Sequence, residues 1–155
     1  MTALTADRNT PRRQGETLSG AVAAAQLVFA GALVMRNPAG FLVTGTTATD
    51  LVGVGRAEAR VDNSGGAAGD LSLEVRPGVF RFANSSAADE ITVADIGELA
   101  FVVDDQTVAK TDGTATRSPA GVIEDIDAQG VWVRLDEGLT LAMSTADAAH
   151  ALASA

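Results

Sequence analysis

The stretch Arg56-Ala57-Glu58-Ala59-Arg60-Val61 and, after a loop, Asp70-Leu71-Ser72-Leu73-Glu74-Val75-Arg76 decides the fold class. In the first, Arg56, Glu58 and Arg60 fall on one side and Ala57, Ala59 and Val61 on the other. In the second, Leu71, Leu73 and Val75 alternate with Ser72, Glu74 and Arg76. A period of two is the signature of extended backbone with one wet face. The intervening Asp62-Asn63-Ser64-Gly65-Gly66-Ala67-Ala68-Gly69 is rich in residues that tolerate positive φ, so the two runs are expected to pair as an antiparallel hairpin.

The same grammar extends in both directions. Leu27, Phe29, Leu33 and Met35 alternate with Val28, Ala30, Ala32 and Val34, and the turn Asn37-Pro38-Ala39-Gly40 leads into Phe41 to Thr44, a second hairpin. Pro77-Gly78 turns the chain into Val79 to Phe82, and a polar loop leads on to a strand at Ile91-Thr92-Val93. Strands are then expected at Leu99 to Val103, Thr107 to Ala109, Val122 to Ile126 and Val131 to Leu135. Ser144 or Thr145 is placed to cap a short helix running to the C-terminus, with Asp147 in its first turn. The chain is expected to be all-β, a small β-barrel or β-sandwich over residues 21–142, with an extended N-terminal arm over 1–20 and the short C-terminal helix over 143–155, packed on the domain or on a partner.

Composition narrows the function classes. The 155 residues include no Cys, no Tyr, a single histidine, His150, and a single lysine, Lys110, so thiolate chemistry and the histidine-based constellations are out of reach and no enzyme is expected. A net charge of −9 opposes nucleic-acid binding, which draws on Lys and Arg. The charge is uneven. Residues 1–20 carry Arg8, Arg12 and Arg13 against Asp7 and Glu16, a net +1, so the remainder carries −10. Ala21 to Met35 is uncharged and mimics a signal or short membrane span, but Gln26, Gly31 and its many alanines favour a buried strand, and no membrane partner is expected.

The remaining candidates read plainly. His150 shares a helix with Asp147, three residues earlier, and is expected on the surface. Asp104-Asp105 and Glu124-Asp125-Asp127 lack the spacing of a calcium loop and read as solvated turn residues, so no metal or cofactor is expected. Gly65-Gly66-Ala67-Ala68-Gly69 has no following Lys and lies between strands, so it is a hairpin tip and not a phosphate loop. In Gly130-Val131-Trp132-Val133-Arg134-Leu135, inward valines would turn Trp132 and Arg134 outward. An exposed Trp beside an Arg is the signature of an interface anchor, while a strand with two covered faces is the plain alternative.

The run Gly97-Glu98-Leu99-Ala100-Phe101-Val102-Val103-Asp104-Asp105-Gln106-Thr107-Val108-Ala109-Lys110, followed by Ser118-Pro119-Ala120-Gly121-Val122-Ile123 and Gly130-Val131-Trp132-Val133-Arg134-Leu135, resembles the C-terminal half of bacteriophage and prophage capsid decoration (cement) proteins. The resemblance covers roughly residues 90 to 138. It implies a β-rich virion protein that self-associates, as a homotrimer, on the outer surface of the capsid head and clamps the major capsid protein, with no catalytic residues. A phage tail or surface adhesin using an exposed Trp132 is the alternative. The arm bearing Arg8, Arg12 and Arg13 is the candidate strap to a neighbouring subunit.

Overall fold

A computed structural model describes residues 3–13 and 15–155. Among the described residues twelve strands are followed by one α-helix: β1 (Leu18–Ala21), β2 (Gln26–Val28), β3 (Leu33–Arg36), β4 (Leu42–Thr44), β5 (Val52–Ala57), β6 (Val61–Asn63), β7 (Ser72–Arg76), β8 (Gly78–Asn84), β9 (Leu99–Val102), β10 (Thr107–Ala109), β11 (Pro119–Asp127), β12 (Gly130–Leu135) and α1 (Glu137–Ala153). The fold is all-β. The second half of the chain closes a five-stranded barrel in the order β10-β8-β12-β11-β9, and the first half forms a five-stranded sheet, β1-β7-β5-β3-β4, with a two-stranded ribbon, β2-β6. Closure removes the barrel's edges.

Period-two alternation in β3 joins the two halves. Leu33, Val34 and Met35 are all fully buried, yet they serve different cores. Leu33 and Met35 pack with Ala100, Val102, Ile123, Val131 and Val133 of the barrel. Val34 points the other way, toward Val28, Leu42, Val54, Leu73 and Val75. Neighbouring β4 repeats the division, with Val43 on the barrel side and Leu42 on the other. In β5 the alternation is Val52-Gly53-Val54-Gly55, and the glycines are steric. A Cβ on Gly53 would stand 1.9 Å from the Ala120 carbonyl oxygen of β11, so only hydrogen fits where the sheet meets the barrel. Ser118 completes the seam: its buried hydroxyl donates to the Ala48 carbonyl at 2.6 Å and accepts the Leu51 N–H at 3.0 Å.

Several expectations are corrected. The arm is shorter than residues 1–20, because Leu18–Ala21 is strand β1, in register with β7 from Leu18↔Val75 to Ala21↔Ser72. Met1, Thr2 and Gln14 of the expected arm lie outside the described residues. The Arg56–Val61 run does meet Ser72–Arg76 antiparallel, with register pairs Arg56↔Arg76 and Ala57↔Val75 and one further bond from the Glu58 N–H to the Glu74 carbonyl at 2.9 Å. Beyond them the chain bends, and Val61–Asn63 pairs with Gln26–Val28 instead. Asn63 explains the diversion: its buried amide donates to the carbonyls of Ala23 at 2.8 Å and Ala67 at 3.0 Å, satisfying groups the loop would otherwise strand. The Leu27 to Met35 alternation is likewise two strands, β2 and β3, separated at Gly31 with φ +86°.

Ile91-Thr92-Val93 is not a strand. The Thr92 N–H and hydroxyl both donate to Asp95 Oδ2, at 2.7 and 2.9 Å, and close a 3-10 turn over Val93–Asp95. The helix begins at Glu137, well before residue 143, because the Asp136 carboxylate accepts the Leu139 N–H at 2.9 Å and supplies the N-cap directly after β12. Thr145 is thus interior, its hydroxyl bonded to the Leu141 carbonyl at 2.9 Å. No helix among the described residues is long and apolar enough to cross a membrane.

Two substitutions test the seam. Gly53→Ala is expected to destabilise the fold by on the order of 3 kcal/mol, since backbone must move to admit a methyl group. Leu33→Ala should cost about 2–5 kcal/mol through the cavity it leaves. Gly65→Ala, with nothing within 4 Å of the added methyl, should stay within about 0.5 kcal/mol of wild type. Urea denaturation read by far-UV circular dichroism measures all three; equal midpoints for Gly53→Ala and Gly65→Ala would refute the close-approach account.

Candidate interface surfaces

The outer wall of the barrel carries the more ordered candidate surface. In β12, Val131, Val133 and Leu135 are fully buried, so Trp132 and Arg134 point outward. Strand β8 lies antiparallel beside it, with Trp132 opposite Arg81 and Arg134 opposite Val79. On the other side β11 brings up Glu124 and Asp127, across a register shift between Ile123 and Asp125.

Trp132 is held by two neighbours that also hold each other. Its Nε1–H donates to Asp127 Oδ2 at 2.8 Å, and the Arg81 guanidinium sits 5.5 Å from its ring centroid. Arg81 also approaches the same carboxylate oxygen at 3.5 Å. Donation from Trp132, then the Gln129 N–H and the charge of Arg81, hold the Asp127 carboxyl below the ordinary aspartate range. Arg134 makes both of its short contacts with one Glu124 oxygen, Oε1. The ring is half-buried and its indole proton is already spent. What remains is a rigid, partly apolar platform bordered by Val79, the kind of surface that anchors a partner with little ordering cost.

The arm is separate. Residues 3–13 are exposed throughout, Arg8, Arg12 and Arg13 among them, and no salt bridge among the described residues ties them to the barrel. The body is joined again at Glu16, which pairs with Arg76 at 2.8 Å. Thus Trp132 and Arg134 share one face, and the three arginines make no salt bridge to it among the described residues.

Arg81 goes unnoticed in the sequence, and Asp127 reads there only as a solvated turn residue, not as a partner of Trp132. The alternation Val79-Phe80-Arg81-Phe82 could have placed Arg81 outward, but nothing local set it opposite Trp132. The other acidic candidates serve their own turns. Asp104 Oδ1 accepts the Gln106 N–H at 2.9 Å, and Asp125 Oδ1 accepts the Ile126 N–H at 2.8 Å. His150 is exposed in the last turns of α1.

No family model, curated protein or solved structure matches the chain.

The pairing of Trp132 with Asp127 has a pH signature. A carboxyl whose pKa is lowered on folding contributes stability above its unfolded pKa, near 4, and loses that contribution as pH falls through the lower folded value. Trp132 fluorescence is therefore expected to change with a midpoint below the ordinary aspartate range, and Asp127→Asn should abolish the transition. A transition that persists in Asp127→Asn would assign it to another group.

Proposed function

We propose that the chain is a non-catalytic capsid decoration (cement) protein, which binds the outer surface of a tailed-phage head, self-associates as a homotrimer and stabilises the lattice of the major capsid protein. The carrying observation is that the stretch bearing the resemblance, Gly97 to Leu135, folds as the contiguous barrel strands β9 to β12 and turns Trp132 and Arg134 outward beside Arg81. A closed barrel presents such side chains from a scaffold with no edge to rearrange.

The mechanism requires no chemistry. Interface that exists only when the shell is assembled favours the assembled state by mass action and so resists the outward pressure of packaged DNA. The acidic body suits a position outside the shell, away from the genome it would repel. The platform around Trp132 supplies a fixed contact, and the exposed arm supplies reach.

Co-sedimentation tests the reading. The purified protein is expected to pellet with assembled phage heads and not with isolated major capsid protein. Trp132→Ala should weaken binding at least tenfold, about 1.4 kcal/mol or more, and removal of residues 1–13 should weaken it further. Equal affinity for monomeric capsid protein would remove the lattice from the mechanism. Gold-labelled protein found only on tails would replace decoration of the head with an adhesin role.

A further inference from the structure

Helix α1 docks by its first turns alone. Thr140 is fully buried and Met143 and Ser144 half-buried, but every residue from Thr145 to the C-terminus is exposed. Between this outer half and barrel strand β9 runs a groove of about 320 Å³, floored by Leu99 and Phe101 and walled by Asp147, Ala148 and Ala151, with Asp112 at one end. It continues past Leu99 and Phe101 into a hollow of about 210 Å³ flanked by Asp95, Glu98 and Lys110. Lys110 is engaged by Asp95 at 3.1 Å. Glu98, Asp112 and Asp147 make no salt bridge among the described residues.

The arm is the complement of this surface. Among its described residues it offers one large exposed apolar side chain, Leu4 at 71% exposure, and three arginines, Arg8, Arg12 and Arg13, that likewise make no salt bridge among the described residues. Fully extended, residues 3–13 reach roughly 35 Å, and Leu4 lies about 13 Å from Arg8, enough for one end to sit on an apolar floor while the other meets carboxylates. Within one chain the arm is exposed and nothing of the chain fills the groove, whose floor is formed by the buried Leu99 and the half-buried Phe101, and the match is drawn between copies.

We infer that the groove between α1 and β9 receives the N-terminal arm of a second copy of this chain, with Leu4 seated on Leu99 and Phe101 and the arginines set against Glu98, Asp112 and Asp147. The inference deepens the proposed self-association and rests on it. Charge supplies direction: a basic-leaning arm is drawn to an acidic body, and an arm docked on one neighbour leaves each copy's own groove open to another. Such head-to-tail contacts close into rings when the rotation permits.

The absence of cysteine makes a clean test available. Thr5→Cys, which keeps Leu4, and Ala148→Cys, both at exposed positions, are prepared as separate chains, mixed at low salt and oxidised. The disulfide joining the two different variants is expected in at least fivefold excess over either homodimer, and the excess should vanish in 0.5 M salt or when Asp112→Asn and Asp147→Asn are added to the groove chain. A statistical mixture of the three dimers, or an excess indifferent to salt and to those substitutions, overturns the inference. Head binding measured on the same variants is a separate readout. Cross-linking without head binding would sink the capsid reading alone, and head binding without cross-linking would sink the arm–groove pairing alone.

Discussion

Strand β3 belongs to two cores at once, and the rest of the molecule is arranged around that fact. Three successive residues, Leu33, Val34 and Met35, are completely removed from water, which a two-residue repeat permits only if both faces of the strand are covered. One face needs the barrel and the other needs the sheet's own core. Neither half can therefore lose its partner without exposing side chains each worth about 2 kcal/mol of burial. The glycines of β5 follow from the same demand, since covering β3 from the barrel side brings β5 and β11 into backbone contact at Gly53 and Ala120.

This dependence explains what could be read from the chain and what could not. The all-β class was legible because alternation is local. So was the β3–β4 hairpin, fixed by a few neighbouring residues and a turn, while the outward direction of Trp132 and Arg134 followed only once Val131 and Val133 were found buried. Long-range choices were not. Val61–Asn63 continues a visible alternating run but joins β2, because the buried Asn63 amide satisfies carbonyls at Ala23 and Ala67 that no local pattern announces. Thr92 and Asp95 preferred each other to a strand ladder. The helix start was hidden by Asp136-Glu137-Gly138, which has a turn's composition but hands its first carboxylate to the Leu139 amide. Of the candidate interface, the tryptophan was readable and its support was not, since Arg81 and Asp127 reach it only through strand register.

The two surfaces differ in physical kind. Around Trp132 the polar groups satisfy one another, so a partner meets a preformed shape and the price of binding is mostly desolvation. The arm is the opposite case: its described residues are exposed and basic-leaning, and on the proposed reading its side chains would be ordered by a partner. A protein holding both can recognise by shape at one place and by charge at another. Salt then acts on one contact far more than on the other.

The short strand β1 gives the arm a mechanical consequence. The arm runs directly into Leu18–Ala21, whose four residues lie antiparallel to Ser72–Arg76, and a single residue, Pro77, separates that strand from the barrel at Gly78. A tug on the arm along the strand axis, against a sheet held through β5, loads the β1–β7 bonds together, in shear. Because Leu18 pairs with Val75, the arm and Pro77 leave the same end of the pair, so tension between arm and barrel opens the bonds from that end. A tug across the axis would peel the same bonds one by one. The anchor is thus strong in one direction and weak in another, and its lifetime under load follows the rate of forced opening and not the equilibrium stability of the fold.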